Sequence, residues 1–218
     1  MATMVSTAEF LPYVLPGAPK VSALTAEFNV RLAAIEFCER TRIWRHMFDA
    51  TLTQNAPVVV GPDYAAIHEI ERAFWDNEYR LTPKAFTELP PGWETAQTAP
   101  PEIITQFEPD KVILYPFQPG RLTMSVFLKP RAGRNFVLSG SPMRDYYNQV
   151  PDFLLNQHAE AIGSGALARV LVIPDQQWSN PDLAAYHRAQ FNQACDRNFA
   201  INLAGQQRAP RRTRYNDF

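Results

Sequence analysis

A few residue groups have the types and spacing that chemistry would need. His158-Ala159-Glu160 matches the H-x-E half of a zinc-deaminase signature. That chemistry also needs P-C-x-x-C to complete the metal site. The chain has no C-x-x-C, so His158 reads as a polar member of a helix face. Glu69 and Glu71 alternate in an expected strand and share a face, an arrangement that suits acid/base work. The plainer reading is a solvated strand face. Gly163-Ser164-Gly165 is a fragment of a nucleophile elbow without the G-x-S-x-G spacing, and it falls inside an expected helix. His46, His68, His158 and His187 form no i, i+4 pair, so no H-E-x-x-H zinc site exists. There is no P-loop and no G-x-G-x-x-G. Cys38 and Cys195 both fall in expected helices and read as buried thiols in a reducing compartment, not as a disulfide framework. No catalytic residue, cofactor site or metal site is therefore expected.

The elements that would hold these groups form a mixed α+β chain. Apolar residues make up 46% and charged residues 20%, a mix that can bury a core and argues against global disorder. Net charge is −1, so nothing global points to nucleic acid or an anionic membrane. No basic stretch followed by an apolar run marks a signal peptide, and no apolar run approaches the roughly 18 residues of a spanning helix, so a soluble protein with no membrane partner is expected.

Residues 1–20, with Pro12, Pro16 and Pro19, read as an extended arm. Residues 22–44 read as a helix capped by Ser22, its stripe running through Leu24, Phe28, Leu32, Ile35, Cys38 and Arg42. Residues 47–53 and 58–60 read as strands. The segment 67–75 fits a helix by spacing, but Asp76-Asn77 followed by Tyr79 and Leu81 favours a hairpin. A short helix is expected over 82–89, strands over 103–107, 111–115 and 122–128, and irregular chain over 130–149. A second long helix covers 151–171, with Pro151 in its first turn and a small face at Gly163, Gly165 and Ala166. Asn180-Pro181-Asp182 opens a third helix that runs to about Leu203 and stops at Gly205.

The expected organisation is a discontinuous helical lobe (21–46 and 150–205), an inserted β-rich lobe (47–149), the N-terminal arm and a basic tail (206–218). Trp44 and Trp178 sit at element ends, where tryptophan anchors a loop onto a core or, alternatively, a subunit interface. Residues 208–218 hold Arg208, Arg211, Arg212, Arg214, Tyr215 and Phe218. They read either as a solvated terminus or as an arm that orders on a partner.

Two stretches carry a resemblance. One is Leu-Ala-Ala-Ile-Glu-Phe-Cys-Glu-Arg-Thr-Arg-Ile-Trp, residues 32–44. The other begins Glu-Ala-Ile-Gly-Ser-Gly-Ala-Leu-Ala-Arg-Val-Leu, residues 160–171, and continues through Pro174, Trp178 and Asn180-Pro181 to Phe191. In this order the chain resembles the head-to-tail adaptors of short-tailed bacteriophages, the tail tubular protein A type. The resemblance implies a structural virion protein and no enzyme. It would form a ring of its own copies, usually dodecameric, at the portal–tail junction, made in the host cytoplasm. Its tail (Arg208, Arg211, Arg212, Arg214, Tyr215, Phe218) would dock into the portal protein, and the hairpins of 66–82 and 103–128 would meet the tail nozzle protein. Gly163, Gly165 and Ala166, with Trp44 and Trp178, would serve helix packing or a subunit interface. DNA would pass through the ring without sequence recognition. The proline-rich N-terminal arm, residues 1–20, departs from the family's pattern, and the resemblance assigns it no role. Three other readings stay open: a head-completion connector of a long-tailed phage, an enzyme using Glu69 and His68, and a nucleic-acid-binding module built on the arginine tail.

Overall fold

The computed structural model of the chain describes residues 3–93, 98–131 and 148–203, with Leu203 described by its backbone alone. In chain order these hold β1 (Met4–Ser6), α1 (Leu11–Val14), α2 (Ala23–Thr41), β2 (Arg45–Leu52), β3 (Val58–Val59), β4 (Ala65–Trp75), β5 (Tyr79–Arg80) and β6 (Thr82–Pro83). There follow β7 (Ile103–Glu108), β8 (Lys111–Tyr115), β9 (Gly120–Pro130), β10 (Gln149–Pro151), α3 (Asp152–Val170) and α4 (Pro181–Leu203). The class is mixed α+β.

The three long helices pack on one another, with α3 in contact with both α2 and α4. One antiparallel sheet has the order β2-β9-β4-β5 and a second the order β3-β8-β7-β6, in which only β6 and β7 run parallel. A short ribbon pairs β1 with β10. One apolar cluster runs through all of this, from Phe37, Ile162 and Phe191 of the helices to Trp75, Met124 and Leu128 of the first sheet and Ile104 and Leu114 of the second. Buried Arg31 of α2 adds a polar tie, donating to the carbonyls of Arg131, just after β9, and of Gln149 in β10 (3.2 Å).

Local chemistry explains the boundaries. Ser22 caps α2, its Oγ accepting from the Thr25 amide at 3.1 Å. The helix stops before the expected Trp44 because Arg42 turns left-handed (φ 52°) and donates its N–H back to the Cys38 carbonyl at 3.0 Å. Trp44 then lies in the link to β2. The hairpin after β4 forms as expected. Asp76 and Asn77 both take left-handed conformations (φ 49° and 60°), and the Glu78 amide closes the turn on the Trp75 carbonyl at 3.1 Å. Asn180 caps α4 through the Leu183 amide (3.1 Å).

Four expectations need correction. Residues 1–20 are not an extended arm. Ser6 caps a 3-10 turn over Thr7–Phe10 that leads into α1, and Pro12 sits in the first turn, where its missing N–H costs nothing. Phe10, Val14 and Ala18 recur at helical spacing and are wholly buried, while β1 is tied to β10, so burial holds the segment against the body. The short helix expected over 82–89 is instead β6 and a 3-10 turn at Phe86–Glu88. Thr82 and Lys84 donate to the carbonyls of Glu102 and Ile104 across β7, and Pro83 sits on the sheet edge, which needs no donor from it. The last residue of the range read as irregular, Gln149, opens β10 (Gln149–Pro151), so Pro151 closes a strand and precedes the first turn of α3 instead of lying in it.

The fourth correction concerns α2. Its buried residues are Ala26, Asn29, Val30, Arg31, Ala33, Ala34, Phe37, Cys38 and Thr41, so of the expected stripe only Cys38 is buried. Leu24 is 73% exposed and Phe28 45%. Small residues let α3 approach closely, so the core takes the alanine face with Phe37, and Leu24 and Phe28 turn outward.

Candidate functional site

The acidic pair on β4 is the first candidate for chemistry. Two bulges interrupt the strand, at Ile67/Glu69 and Ile70/Arg72, yet Glu69 and Glu71 line one cleft of about 180 Å³ with Arg42, Arg45, Phe127, Phe199 and Asn202. Each carboxylate is already engaged. Glu69 pairs with Arg42 at 2.8 Å. Glu71 accepts both arms of the Arg45 guanidinium (2.9 and 2.8 Å) and the Ser125 hydroxyl (2.6 Å). Partial burial pushes the Glu71 carboxyl up, but the hydrogen bonds from Ser125 and Arg45 outweigh it and hold it below the usual carboxylate range. A carboxylate so held is a poor proton donor. Arg45 and Arg42 also lie over aromatic rings, at 5.2 Å from the Phe127 centroid and 5.5 Å from that of Phe199. The cleft is a joint between α2, the first sheet and the end of α4, where Asn202 donates to the Thr41 carbonyl at 2.9 Å.

His158 and Glu160 line one groove between α3 and α4. The backbone of α3 breaks from helical geometry at His158 (φ −135°, ψ 15°), its ring lies 4.9 Å from that of Phe37, and Glu160 is exposed. Among the described residues no group of histidine, cysteine, aspartate and glutamate is arranged to hold a metal ion. Cys38 and Cys195 are both buried and free; desolvation raises the first thiol far above its ordinary value and the second to about 11. Neither is poised as a nucleophile.

The residues expected at packing contacts are placed as follows. A Cβ on Gly163 would stand 2.7 Å from the Cβ of Tyr13, and one on Gly165 would stand 2.7 Å from the Phe191 ring and 3.0 Å from the Cβ of Ala33. Ala166 is wholly buried. The small face of α3 thus receives α1 on one side and α2 with α4 on the other. Trp44 is buried and stacks on Tyr64 (centroids 6.2 Å, 10° between planes), with Phe153 at its edge. Trp178 packs on the rim of the core, its Nε1–H buried without a partner among the described residues. Arg208, Arg211, Arg212, Arg214, Tyr215 and Phe218 lie outside the described residues.

Sequence reading missed two constellations. Glu36 is a hub: Arg169 of α3 and Arg188 of α4 (3.0 Å) both donate to it, and Arg40 stands at 3.6 Å. Burial opposes ionisation there, but the bonds from Arg169 and Arg188 prevail and hold the carboxyl below its ordinary range. Only the i, i+4 spacing of Glu36 and Arg40 was visible in advance. The second is a cluster of Phe86, Trp93 and Phe107 on the outer edge of the second sheet, with centroids 5.8–6.3 Å apart and Phe86 and Phe107 more than two-fifths exposed. Nothing in their spacing predicted it, because β6 and β7 meet by a parallel pairing.

Among the described residues no helix is long and apolar enough to cross a membrane. No family model matches this chain, and no curated protein matches it either.

Proposed function

We propose that this protein is a structural adaptor at a virion's portal–tail junction, assembling as a ring of its own copies and passing DNA without acting on it. Its helical bundle would form the ring body as one lobe, and the inserted β-rich part, as the other, would face the tail. The resemblance of residues 32–44 and 160–191, in their order along the chain, brings the family to mind.

The observation that carries the reading is the outward stripe of α2. A helix with Leu24 73% exposed and Phe28 45% exposed presents large apolar side chains where a lone globular domain places polar ones. Such a face suits burial against another protein. The acidic candidates support the same view from the other side, since Glu69 is spoken for by Arg42 at the end of α2 and Glu71 by Arg45 of β2 in the same sheet. Phe107 lies in the 103–128 hairpin given the nozzle-facing role, and Phe86 and Trp93, outside the hairpins, pack on it. The tail, 206–218, would reach the portal.

The test is electron microscopy and mass measurement of the purified chain, alone and mixed with purified portal rings. The reading expects closed rings, on their own or templated by the portal. A chain that stays monomeric in both settings and does not bind the portal would sink it.

A further inference from the structure

The first sheet runs β2-β9-β4-β5, so β2 has a strand on one side only. Among the described residues the other outer strands of the two four-stranded sheets, β3, β5 and β6, are two residues each, whereas β2 has eight. Natural sheet edges are blunted by proline, lysine, a bulge or shortness. Arg45–Leu52 contains no proline, glycine or lysine, and its pairing with β9 has no bulge.

The register shows what this edge offers. The Leu128 amide donates to the Trp44 carbonyl at 2.8 Å, so these two residues form a hydrogen-bonded pair. The antiparallel register then runs unbroken from Arg45↔Phe127 to Leu52↔Gly120, so His46, Phe48 and Ala50 also turn their backbone groups to β9. Met47, Asp49 and Thr51 aim theirs outward, where they meet no backbone partner among the described residues; the Arg45 amide closes locally on the Ile43 carbonyl at 3.2 Å. Met47 is 55% exposed between the exposed Arg45 and Asp49. On the other face Phe48 and Leu52 pack on the core yet stay only partly buried.

Charge selects the neighbour. Arg45, Met47 and Asp49 are self-complementary when reversed. A second β2 laid antiparallel with Met47 opposite Met47 sets each Arg45 opposite an Asp49. Within each sheet Arg45 already pairs with Glu71, and Asp49 with Arg121. The joint therefore carries two rows of alternating sign, Glu71, Arg45, Asp49, Arg121, with the last two from the other copy. Other registers lose this match: centring on Phe48 sets Arg45 opposite Thr51, and centring on Asp49 opposes two aspartates.

We propose that β2 pairs with β2 of a second copy, antiparallel and centred on Met47, joining two four-stranded sheets into one. Such a pair closes on itself, rests on no part of the virion reading and uses a different surface from the α2 stripe. A single strand edge buries less than the roughly 1,200 Å² of a stable interface, so the pair is weak and fills at roughly 0.1–1 mM.

The experiment uses the full-length protein carrying Met47→Cys at about 0.5 mM, oxidised with glutathione disulfide. Cys38 and Cys195 are buried and do not compete. Opposed residues of a hydrogen-bonded pair stand about 5.5 Å apart at Cα, within disulfide reach. The expected result is a covalent dimer on a non-reducing gel, formed about tenfold or more faster than from Thr51→Cys, an exposed position that this register places opposite Ile43. Adding Arg45→Asp or Asp49→Arg should slow the dimer about tenfold, and mixing the two variants should restore it, because each supplies the charge the other needs. Both variants lose a pair within their own sheet, and mixing cannot repair that loss. Equal rates for the two cysteine positions, no dimer, unslowed charge variants or no recovery on mixing would each overturn the proposal, and none of them bears on the α2 contact.

Discussion

Gly165 and Phe191 meet so closely that a methyl group on the glycine would stand 2.7 Å from the phenylalanine ring. Phe191 is wholly buried and Ala33 closes the other side at 3.0 Å, so the ring has no free volume into which to retreat. Gly165→Ala would gain about 1 kcal/mol of helix propensity and lose about 1–3 kcal/mol to overpacking. We expect a net loss of stability, read as a lower urea midpoint at an unchanged slope. A variant as stable as the parent would mean that α3 and α4 are less tightly locked than this contact requires.

Glu36 joins α2 to both other long helices through Arg169 and Arg188. Glu36→Gln keeps the shape but leaves Arg40, Arg169 and Arg188 facing one another without the central charge. The side chains are partly exposed, so solvent screens much of the repulsion. The expected cost is about 1–2 kcal/mol, growing at low salt and shrinking at high salt. Denaturation at two ionic strengths separates this from a packing defect, which salt would not relieve.

How far the sequence announced this structure differs from element to element. Capping and turn chemistry were readable, since Ser22, Asn180 and Asp76-Asn77 act through bonds to neighbours along the chain. The hairpin strands and long helices followed from period and boundary residues. The orientation of α2 was not readable, because hydropathy favours the stripe of Leu24 and Phe28 while packing favours the alanines that admit α3. The N-terminal segment misled for a related reason. Proline suggests extension, but Pro12 falls at a helix start and Phe10 and Val14 find a core that only the tertiary fold supplies. In the candidate sites, the residue types were visible and their partners were not. Arg42 with Glu69, Arg45 with Glu71, and Arg197 beside His158 are all pairings across distant parts of the chain.

Stability should fall on mild acidification. Burial lowers the folded-state pKa of His158, with Arg197 adding to it, and burial lowers that of His187. Below about 6.5, the ordinary histidine value, the unfolded chain takes up protons that the folded chain resists, so stability is full above that pH and declines as pH drops below it. The depressed carboxyls of Glu36 and Glu71 add a second loss below their ordinary value of 4.5, as pH falls toward their folded-state values. Melting temperatures across this range should show the first decline reduced in His158→Gln. An unchanged profile in that variant would assign the decline to other groups.

Deleting residues 208–218 should leave the fold intact, because the described core lies wholly upstream of them. In the adaptor reading the same deletion abolishes attachment to portal rings. Sedimentation of the truncated protein with portal checks this, with unchanged circular dichroism as the folding control. Attachment at the normal level would remove the tail from the portal contact.

The outward stripe of α2 makes the strongest demand. Leu24 and Phe28 contribute little to the monomer at their exposures of 73% and 45%, so Leu24→Gln with Phe28→Gln should change monomer stability by only about 0.5 kcal/mol. Glutamine keeps helix propensity near that of leucine, so α2 should remain formed. If another copy covers this face, loss of the two side chains removes about 2–3 kcal/mol of burial in all from every contact in the ring, more of it at Leu24 than at the half-buried Phe28. The double variant should therefore stay folded and monomeric at concentrations where the parent assembles, as light scattering would show. Rings of normal size would move the interface to another surface of the molecule.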